Sequence, residues 1–371
     1  MSKLFEESTL KGMHLSNRFV RSATWEGMAA NDGAVTPKLI ETMNALAGGG
    51  VGLIISSHAY VRPEGQAGPW QLGVYKDELI PGLREMAASV HERGGRIVMQ
   101  LSHAGNFAAE KLIGQPPLVV SDFEGLAQSP RKEITARDIR EIVSAFGDAA
   151  GRAKAAGFDG VQIQSAHGYL LSQFLSPAFN RRSDEYGGSA SNRARIHLEV
   201  YRTIREVVGN DYPVLIKMNC RDFDENGLSL DDSVLAAGLL ADAGLDAIEV
   251  SGGLLTGGAL RPSRSGINSE EKEAYFKEEL RTFRKAVSIP LILVGGIRSF
   301  EVAERLVDDA MADYISMSRP FIREPDLINR WKAGDHRKAE CKSDNLCYEP
   351  GREGKGIYCV AMERERAKYK D

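Results

Sequence analysis

The chain has 371 residues, of which 43% are hydrophobic and 26% charged, with a formal net charge of −4 at pH 7. This composition is typical of a folded protein with a sizeable core, and the small negative charge gives no reason to expect nucleic acid binding. No apolar run is long enough to span a bilayer, and the first residues lack the pattern of a signal peptide. Because 4 cysteines are too few for a disulfide framework, we expect a cytoplasmic protein without membrane contact.

Short apolar runs rich in Val, Ile and Leu recur along the chain and predict buried parallel strands. They cover residues 18–23, 51–57, 96–101, 160–165, 214–219, 247–252, 291–296 and 314–319. Amphipathic helical stretches separate them. Eight strand–helix units predict an α/β fold, the (β/α)8 TIM barrel, with its active site at the C-terminal ends of the strands. A doubly wound open sheet is the alternative, although no Gly-x-Gly-x-x-Gly turn follows the first strand.

Two segments are longer than barrel loops need, residues 106–133 and 254–279. They follow the third and sixth predicted strands on the catalytic side, so we expect them to be insertions that cover the substrate. After Trp331 the composition becomes strongly charged. We therefore divide the chain into a barrel domain, residues 1–333, and a short C-terminal extension, residues 334–371.

Polar side chains collect where the predicted strands end. The fourth strand ends on Gln164, and His167 and Tyr169 follow closely, all of them able to donate hydrogen bonds. Lys217 lies inside the apolar fifth strand. Burying an ammonium group costs several kcal/mol unless an anion or a dense set of acceptors meets it. Lys217 therefore either faces an anionic ligand or forms a structural pair with an Asp or Glu in the barrel mouth.

Gly295-Gly296 and Ser318-Arg319 follow the seventh and eighth predicted strands, where this fold usually binds phosphate. Glycines let backbone N–H groups approach a phosphate, and an arginine can bind two of its oxygens. A plain turn is the alternative for the two glycines. A phosphate here and a buried cation on the fifth strand would suit a phosphorylated ring cofactor with an electron-rich edge, such as FMN.

Several stretches resemble, in the same order, the old yellow enzyme family of FMN-dependent oxidoreductases. They are LSNRFVRSATW, MQLSHAG, AHGYLLSQFLSP with NRRSDEYGGS, LIKMN, VGGI and SRPFIREP, spread over about residues 3–330. The chain is most similar to the bacterial NADH:flavin oxidoreductase branch, which includes the barrels of dienoyl-CoA reductases. The resemblance implies non-covalently bound FMN, NADH or NADPH as reductant, and reduction of an activated C=C bond in a small-molecule substrate.

The resemblance also implies roles for individual residues. Gln164 and His167 would hydrogen-bond the carbonyl oxygen of the substrate, and Tyr169 would donate a proton to its α-carbon. Lys217 would face N1 and O2 of the flavin, and Gln100 its pyrimidine side. The complete set expected to bind the cofactor is Ser22, Ala23, Thr24, Trp25, His58, Gln100, Lys217, Gly295, Gly296, Ser318 and Arg319.

Four positions depart from the family pattern. Gln164 stands where a histidine is usual, so this carbonyl-binding group can never be cationic. His58 stands where a small residue commonly lies behind the flavin; it either narrows the site or supplies an imidazole from another strand, with a packed surface-loop histidine as the alternative. Asn106 replaces a frequent arginine, and Trp25 replaces a small or sulfur-bearing residue.

Because of the change at Gln164, two other functions stay open. One is a flavin-dependent amine or demethylating dehydrogenase on the same barrel, and the other is a flavin-binding protein of low turnover. The sequence does not determine the physiological substrate, the preference between NADH and NADPH, or the oligomeric state. It is compatible with a homo-oligomer.

The C-terminal cysteines resemble the segment that ligates a [4Fe–4S] cluster in dienoyl-CoA reductases. Cys341, Cys347 and Cys359 are present, but Asp344 stands at the second ligand position, and Cys220 lies far away at the end of the fifth strand. Since such clusters normally need four thiolates, we expect a remnant motif with no [4Fe–4S] cluster and no metal. Zinc on the three cysteines with either Asp344 or a histidine is a weaker alternative.

Overall fold

The computed structural model describes residues 2–126 and 129–368. Residues 127–128 of the first predicted insertion and residues 369–371 of the C-terminal extension lie outside the described residues. The strands are β1 Ser8–Leu10, β2 Met13–Leu15, β3 Phe19–Arg21, β4 Leu53–Tyr60, β5 Ile97–Ser102, β6 Leu118–Val119, β7 Lys132–Glu133, β8 Gly160–Ser165, β9 Val214–Asn219, β10 Ala247–Ser251, β11 Leu291–Val294 and β12 Tyr314–Met317.

Helices alternate with these strands. They are α1 Pro37–Gly48, α2 Ile80–His91, α3 Glu110–Ile113, α4 Ala136–Ala155, α5 Leu170–Leu175, α6 Ala190–Arg193, α7 Arg195–Val208, α8 Leu230–Asp242, α9 Lys277–Ala286, α10 Phe300–Asp308, α11 Arg319–Arg323, α12 Leu327–Lys332, α13 Glu349–Arg352 and α14 Val360–Ala367. Local signals explain several helix starts: Thr36 caps α1 before Pro37, and Thr135 forms a capping box with Asp138 at the start of α4.

The strands β3, β4, β5, β8, β9, β10, β11 and β12 close into a barrel, and every neighbouring pair is parallel. The predicted TIM barrel is confirmed, and the doubly wound sheet is excluded. Four strands end earlier than predicted, at Arg21, Ser251, Val294 and Met317. Gly295-Gly296 and Ser318 therefore lie in loops, and Arg319 begins α11. These residues follow the strands, as a ligand-binding rim does.

Strand β4 is longer than predicted and ends at Tyr60. Its pairing with β5 shifts register between Ile55 and His58, so that His58 lies opposite Gln100. A bulge of this kind bends a strand and re-aims the side chains beyond it. It brings His58 to the C-terminal end of the barrel, beside the residues that follow β5.

An N-terminal hairpin, β1–β2, was not predicted from the sequence. It covers the bottom of the barrel, the end at which the strands begin. Its turn is Lys11-Gly12, both with positive φ, which suits a tight hairpin turn. The buried side chains of Leu10, Met13 and Leu15 join the apolar residues that point into the lower barrel. Because this end is plugged with apolar groups, the polar interior described below opens only toward the C-terminal ends of the strands.

The C-terminal extension packs against the barrel. The Ala339 N–H donates to Arg298 O at 2.9 Å, and the Ile357 N–H donates to Glu26 O at 2.9 Å. Arg323 in α11 binds Glu340 at 2.7 Å and also pairs with Glu365. The extension is therefore part of the folded molecule, close to the rim. Among the helices of the described residues, none is long and apolar enough to cross a membrane.

Candidate active site

A buried carboxylate, Glu249 on β10, organises the polar interior of the upper barrel. Its side chain is fully buried and accepts hydrogen bonds from Ser22 at 2.7 Å and Ser316 at 2.8 Å. Gln162 donates to its other oxygen at 2.9 Å, and Gln100 donates to Gln162 at 2.7 Å. Two predicted cofactor residues, Ser22 and Gln100, are thus joined through a glutamate that the sequence analysis did not single out.

Lys217 on β9 is the counterion of this glutamate. Its ammonium group lies 3.1 Å from Glu249 Oε1 and donates to Ser22 Oγ at 2.6 Å. Burial would raise the pKa of Glu249, but Lys217 and the hydrogen bonds from Ser22, Gln162 and Ser316 outweigh burial and hold the pKa below its ordinary value. The structural-pair interpretation of Lys217 is therefore observed. An ammonium group has three N–H donors, and these two contacts leave one for a ligand.

Gln164 and His167 lie at and just beyond the end of β8. The Gln164 side chain is buried, and its Oε1 atom has no hydrogen-bond partner among the described residues. His167 has a positive φ of 67°, which is unusual for a residue other than glycine. Its backbone N–H donates to Asn219 Oδ1 at 3.0 Å, and its Nε2 lies 2.8 Å from Ser251 Oγ. Burial first, and then the charge of Lys217, lower the pKa of His167 well below its ordinary value.

Tyr169 and His58 meet across the barrel mouth. The Tyr169 hydroxyl lies 3.2 Å from His58 Nε2, and the two ring centroids are 5.3 Å apart. Burial raises the pKa of Tyr169 to about 12 and lowers the pKa of His58 to about 4. Both side chains are therefore uncharged near neutral pH. His58 is 7% exposed and lies in a strand, so the alternative of a surface-loop histidine is wrong.

The predicted phosphate end combines the two glycines, Ser318 and Arg319 with residues that the sequence analysis missed. Gly296 has φ 74°, and a Cβ atom there would lie 2.7 Å from the ring of Tyr275, so only glycine fits. Thr24 Oγ1 lies 2.7 Å from Ser318 Oγ. Arg319 donates to Asn345 Oδ1 at 2.8 Å, and Asn345 belongs to the C-terminal extension. No local sequence signal marks Asn345, because its partner is far away in the chain.

The remaining predicted residues lie at the edge of this group. The half-buried ring of Trp25 stands within contact distance of Gly27 and Gly351, so it packs toward the C-terminal extension. Ala23 packs on the apolar cluster of the lower barrel. At Asn106, where arginine is frequent in the family, Arg131 donates to the side-chain oxygen at 2.9 Å. A guanidinium group is therefore present here, but it comes from the insertion.

The C-terminal cysteines lie near the phosphate end. Cys341, Cys347 and Cys359 line one narrow cavity with Asp344 and Arg319. Burial raises the pKa of the Cys341 and Cys347 thiols. Within residues 2–126 and 129–368, no group of three or more His, Cys, Asp or Glu side chains is arranged to hold a metal ion.

The donor set fits a flavin mononucleotide. The barrel mouth offers a spare Lys217 N–H, the unpartnered Gln164 amide and a row of buried polar groups around Glu249. The rim beyond β11 and β12 offers backbone at Gly295-Gly296 and the guanidinium of Arg319. One end of the site thus suits a polar ring edge, and the other suits a phosphate.

Comparison with known proteins identifies the family. Residues 3–338 match the model of the NADH:flavin oxidoreductase / NADH oxidase family. The chain belongs to this family. The description of this family names NADH:flavin oxidoreductases and NADH oxidases.

Two curated relatives illustrate the similarity. The chain is 37% identical to an NADH oxidase of Thermoanaerobacter brockii over 350 residues, which are 92% of this chain but 53% of that protein. It is 35% identical to an NADPH dehydrogenase of Listeria monocytogenes over 328 residues, covering 88% of this chain and 93% of that protein. The chain therefore spans about half the length of some of its relatives and nearly all of others.

Solved structures agree with the fold. A 2-naphthoyl-CoA reductase superimposes with a TM-score of 0.89 and 25% identity, covering 96% of this chain and 56% of that one. An old yellow enzyme homologue from Zymomonas mobilis superimposes with a TM-score of 0.76 and 25% identity, covering 92% of this chain and 96% of that one. A histamine dehydrogenase from Rhizobium sp. 4-9 superimposes with a TM-score of 0.85 and 26% identity, covering 96% of this chain and 52% of that one. The old yellow enzyme resemblance is confirmed.

Proposed function

We propose that this chain uses NADH or NADPH and FMN to reduce an activated C=C bond, one conjugated to a carbonyl group. The observation that carries the proposal is the convergence at the end of β8 of the buried Gln164 amide, whose Nε2 can donate, with His167 and the Tyr169–His58 pair. These are hydrogen-bond donors for a carbonyl oxygen and a proton donor for carbon. Bound FMN would supply the hydride chemistry, taking a hydride from the nicotinamide and passing it to the β-carbon.

Gln164 and His167 polarise the substrate carbonyl. In the proposed tautomer, Ser251 donates to His167 Nε2 and the ring proton is on Nδ1, which is then the donor toward substrate. The low pKa of His167 keeps the imidazole neutral, so both donors are uncharged. A preorganised donor facing a developing enolate oxygen contributes about 3 kcal/mol of transition-state stabilisation. Asn219 fixes the strained backbone of His167 and so orients this donor.

Tyr169 supplies the proton to the α-carbon. Because its pKa lies at about 12, the phenol stays protonated at neutral pH and is acidic enough for an enolate-like carbon. A neutral His58 holds the hydroxyl at 3.2 Å and fixes its direction. Around the flavin, Lys217 would face N1 and O2, with Ser22, Ala23, Thr24, Trp25 and Gln100 near the ring, while Gly295, Gly296, Ser318 and Arg319 would hold the phosphate.

Relatives support this chemistry and one alternative. Similar structures include a 2-naphthoyl-CoA reductase and morphinone reductase, both reductases by name. The histamine dehydrogenase keeps amine oxidation as a second candidate, which the free Gln164 Oε1 atom favours because it can accept a hydrogen bond from an amine N–H.

Anaerobic stopped-flow kinetics separate these candidates. The purified holoprotein is reduced with NADH or NADPH and then mixed with 2-cyclohexenone. We expect reduction by at least one nicotinamide, followed by reoxidation on mixing with the enone. In Tyr169→Phe, reoxidation should slow about 100-fold because the general acid is lost, while reduction by the nicotinamide should be unchanged.

Tyr212→Phe is the matched control. Its hydroxyl donates to Phe158 O at the opposite end of the barrel, so both half-reactions should keep their rates. If neither nicotinamide reduces the flavin and histamine or another amine does, the amine dehydrogenase is the correct function. If no donor and no acceptor changes the flavin spectrum, the protein is a flavin carrier and the proposal fails.

A further inference from the structure

Arg264, in the insertion after β10, forms no salt bridge with any carboxylate of residues 2–126 and 129–368. Its guanidinium carbon lies 4.5 Å from the ring centroid of Tyr275, 4.9 Å from that of Phe223 and 5.3 Å from that of Phe276. The face of an aromatic ring attracts a cation, but it does not replace the oxygen acceptors that the guanidinium N–H groups need in their own plane. The Nε and Nη2 atoms of Arg264 are buried and have no hydrogen-bond partner in the described part of the chain. Because buried charged donors in proteins normally have acceptors, these two N–H groups are available to a ligand.

The location of Arg264 shows what kind of anion fits. Tyr275, which it covers, donates its backbone N–H to Gly295 O at 3.1 Å and places its ring against Gly296. The charges of Arg319 and Arg264 both act on the Tyr275 hydroxyl, although burial is the larger influence and raises its pKa. Two arginines therefore flank the same tyrosine at the glycine turn that follows β11.

Asn345 ties the two arginines together. Its side-chain oxygen accepts from Arg319 at 2.8 Å and from Ser263 at 2.9 Å. Its side-chain nitrogen donates to Ser263 O at 2.8 Å and to Ser265 Oγ at 3.0 Å. The residues on both sides of Arg264 are thereby fixed to the partner of Arg319. This bracing holds the Arg264 backbone in place whatever its side chain binds.

The acidic residues nearby have other partners. Arg264 lines a cavity of about 400 Å³ together with Glu271, Glu273 and Glu278. The Ser269 side chain hydrogen-bonds Glu271 and holds the pKa of that carboxyl below its ordinary value. Glu273 accepts from the backbone N–H groups of Arg298 and Ser299, and Glu278 pairs with Arg281. The guanidinium is thus not neutralised by the walls of its own cavity.

We propose that Arg264 is a second phosphate-binding arginine, which with Arg319 takes a phosphomonoester at the Gly295-Gly296 end of the site. The ligand chemistry is a dianionic phosphate with several acceptor oxygens, which can use the free Nε and Nη2 donors together. Two molecules in the proposed function carry such a group, FMN at its 5′ end and NADPH on its ribose. The inference rests on that proposed function, and the position beside Arg319 favours FMN.

The test compares ligands with and without the phosphate. Dissociation constants of FMN and riboflavin are measured by fluorescence titration of the full chain after flavin removal, for wild type, Arg264→Gln and Arg264→Lys. We expect Arg264→Gln to weaken FMN binding about 10- to 100-fold with riboflavin affinity unchanged, because only the phosphate contact is lost. Arg264→Lys should recover part of the loss, since it keeps the charge but not the fork.

The controls separate this inference from the proposed function. Arg221→Gln removes a neighbouring guanidinium that stacks on Phe223 at 5.2 Å, and both affinities should stay as in wild type. Arg319→Gln should reproduce the phosphate-specific loss; if wild type itself binds FMN no better than riboflavin, the phosphate end of the proposed site is wrong.

The variants also identify the source of the phosphate. If Arg264→Gln leaves FMN affinity intact but raises the KM for NADPH and not for NADH, the site binds the phosphomonoester of the nicotinamide. If it weakens FMN and riboflavin equally, or changes neither flavin nor NADPH, Arg264 is structural and the inference is overturned. Thermal melting of each variant shows that the compared proteins are folded.

Discussion

At the scale of single residues, Gln164 is the position where the sequence analysis expects a departure from the family pattern. Its amide is buried with a free acceptor, while its neighbour His167 is held by Asn219 and Ser251. The nearest additional imidazole, His58, hydrogen-bonds to Tyr169 instead. His58 therefore contacts Tyr169, the proposed proton donor, through its Nε2 atom.

Replacing Gln164 with histidine should raise turnover of a simple enone. An imidazole can donate to an enolate oxygen at least as strongly as an amide, and we expect reoxidation by 2-cyclohexenone to accelerate about 10-fold. Stopped-flow reoxidation of the reduced holoprotein gives the rate directly. Gln173→His, a change to a buried glutamine that braces the loop backbone, controls for a general effect of a new histidine. A rate that is unchanged or lower in Gln164→His would contradict this account of the position.

The sequence was sufficient to predict which residues gather at the rim but not how they pair. Gln164, His167 and Tyr169 follow one strand, so their proximity is a local property of the chain. Glu249 could have been found by the reasoning that found Lys217, since a lone acid in the strand AIEVS is equally costly to bury. Arg264 and Asn345 carry no such signal, because polar residues in loops are ordinary.

At the scale of elements, the pairing of β9 with β10 determines the barrel interior. The parallel register places Lys217 beside Glu249, and the salt bridge follows from that register. Neither side chain is more than 4% exposed, so each depends on the other for neutralisation.

A double-mutant cycle on this pair should give strongly non-additive free energies of unfolding. Glu249→Leu leaves the Lys217 ammonium buried without a counterion and should lower the free energy of unfolding by about 3–5 kcal/mol. Lys217→Met should cost a similar amount. The double variant should recover much of the loss, because two apolar side chains need no partner. Urea denaturation of the flavin-free chain measures each value; additive losses would mean that the two groups are stabilised independently.

The boundaries of the elements were predicted less well than their existence. The bulge in β4 extends that strand past its apolar run to Tyr60, because pairing with β5 resumes after the register shift. The hairpin β1–β2 was missed since its strands are only three residues long. The C-terminal extension was recognised only by its charged composition, and the structure adds that a tertiary hydrogen bond from Arg319 to Asn345 joins it to the rim.

At the scale of the whole molecule, buried neutral histidines couple stability to pH. Burial lowers the pKa of His58 and His197 to about 4 and that of His103 to about 3, and it lowers the pKa of His167 as well. In the unfolded chain these groups titrate near the ordinary value of about 6.5. Between those values the unfolded state binds protons that the folded state does not, so stability is complete above pH 6.5 and falls below it.

The free energy of unfolding should therefore fall by about 1.4 kcal/mol per pH unit for each such histidine as the pH drops from 6.5 toward 4. Urea midpoints at pH 7, 6 and 5 test this. His197→Gln should reduce the slope of the free energy of unfolding against pH by the contribution of one histidine. His14→Gln, in the exposed part of the hairpin, should leave this slope unchanged. A midpoint that is constant down to pH 5 would rule out these buried neutral histidines as a source of acid sensitivity.

The hydrogen bond between Thr24 and Ser318 joins residues that are 294 positions apart in the chain. Arg319 donates to Asn345, which belongs to the C-terminal extension. A ribosome makes these segments many seconds apart, at about 5–20 residues per second. Strands such as β3 therefore cannot pair with β12, which closes the barrel, until the ribosome has synthesised the later part of the chain. We expect flavin to be captured only after residues near Asn345 have left the ribosome, which makes loading of the cofactor a late event in biosynthesis and a checkpoint for complete chains.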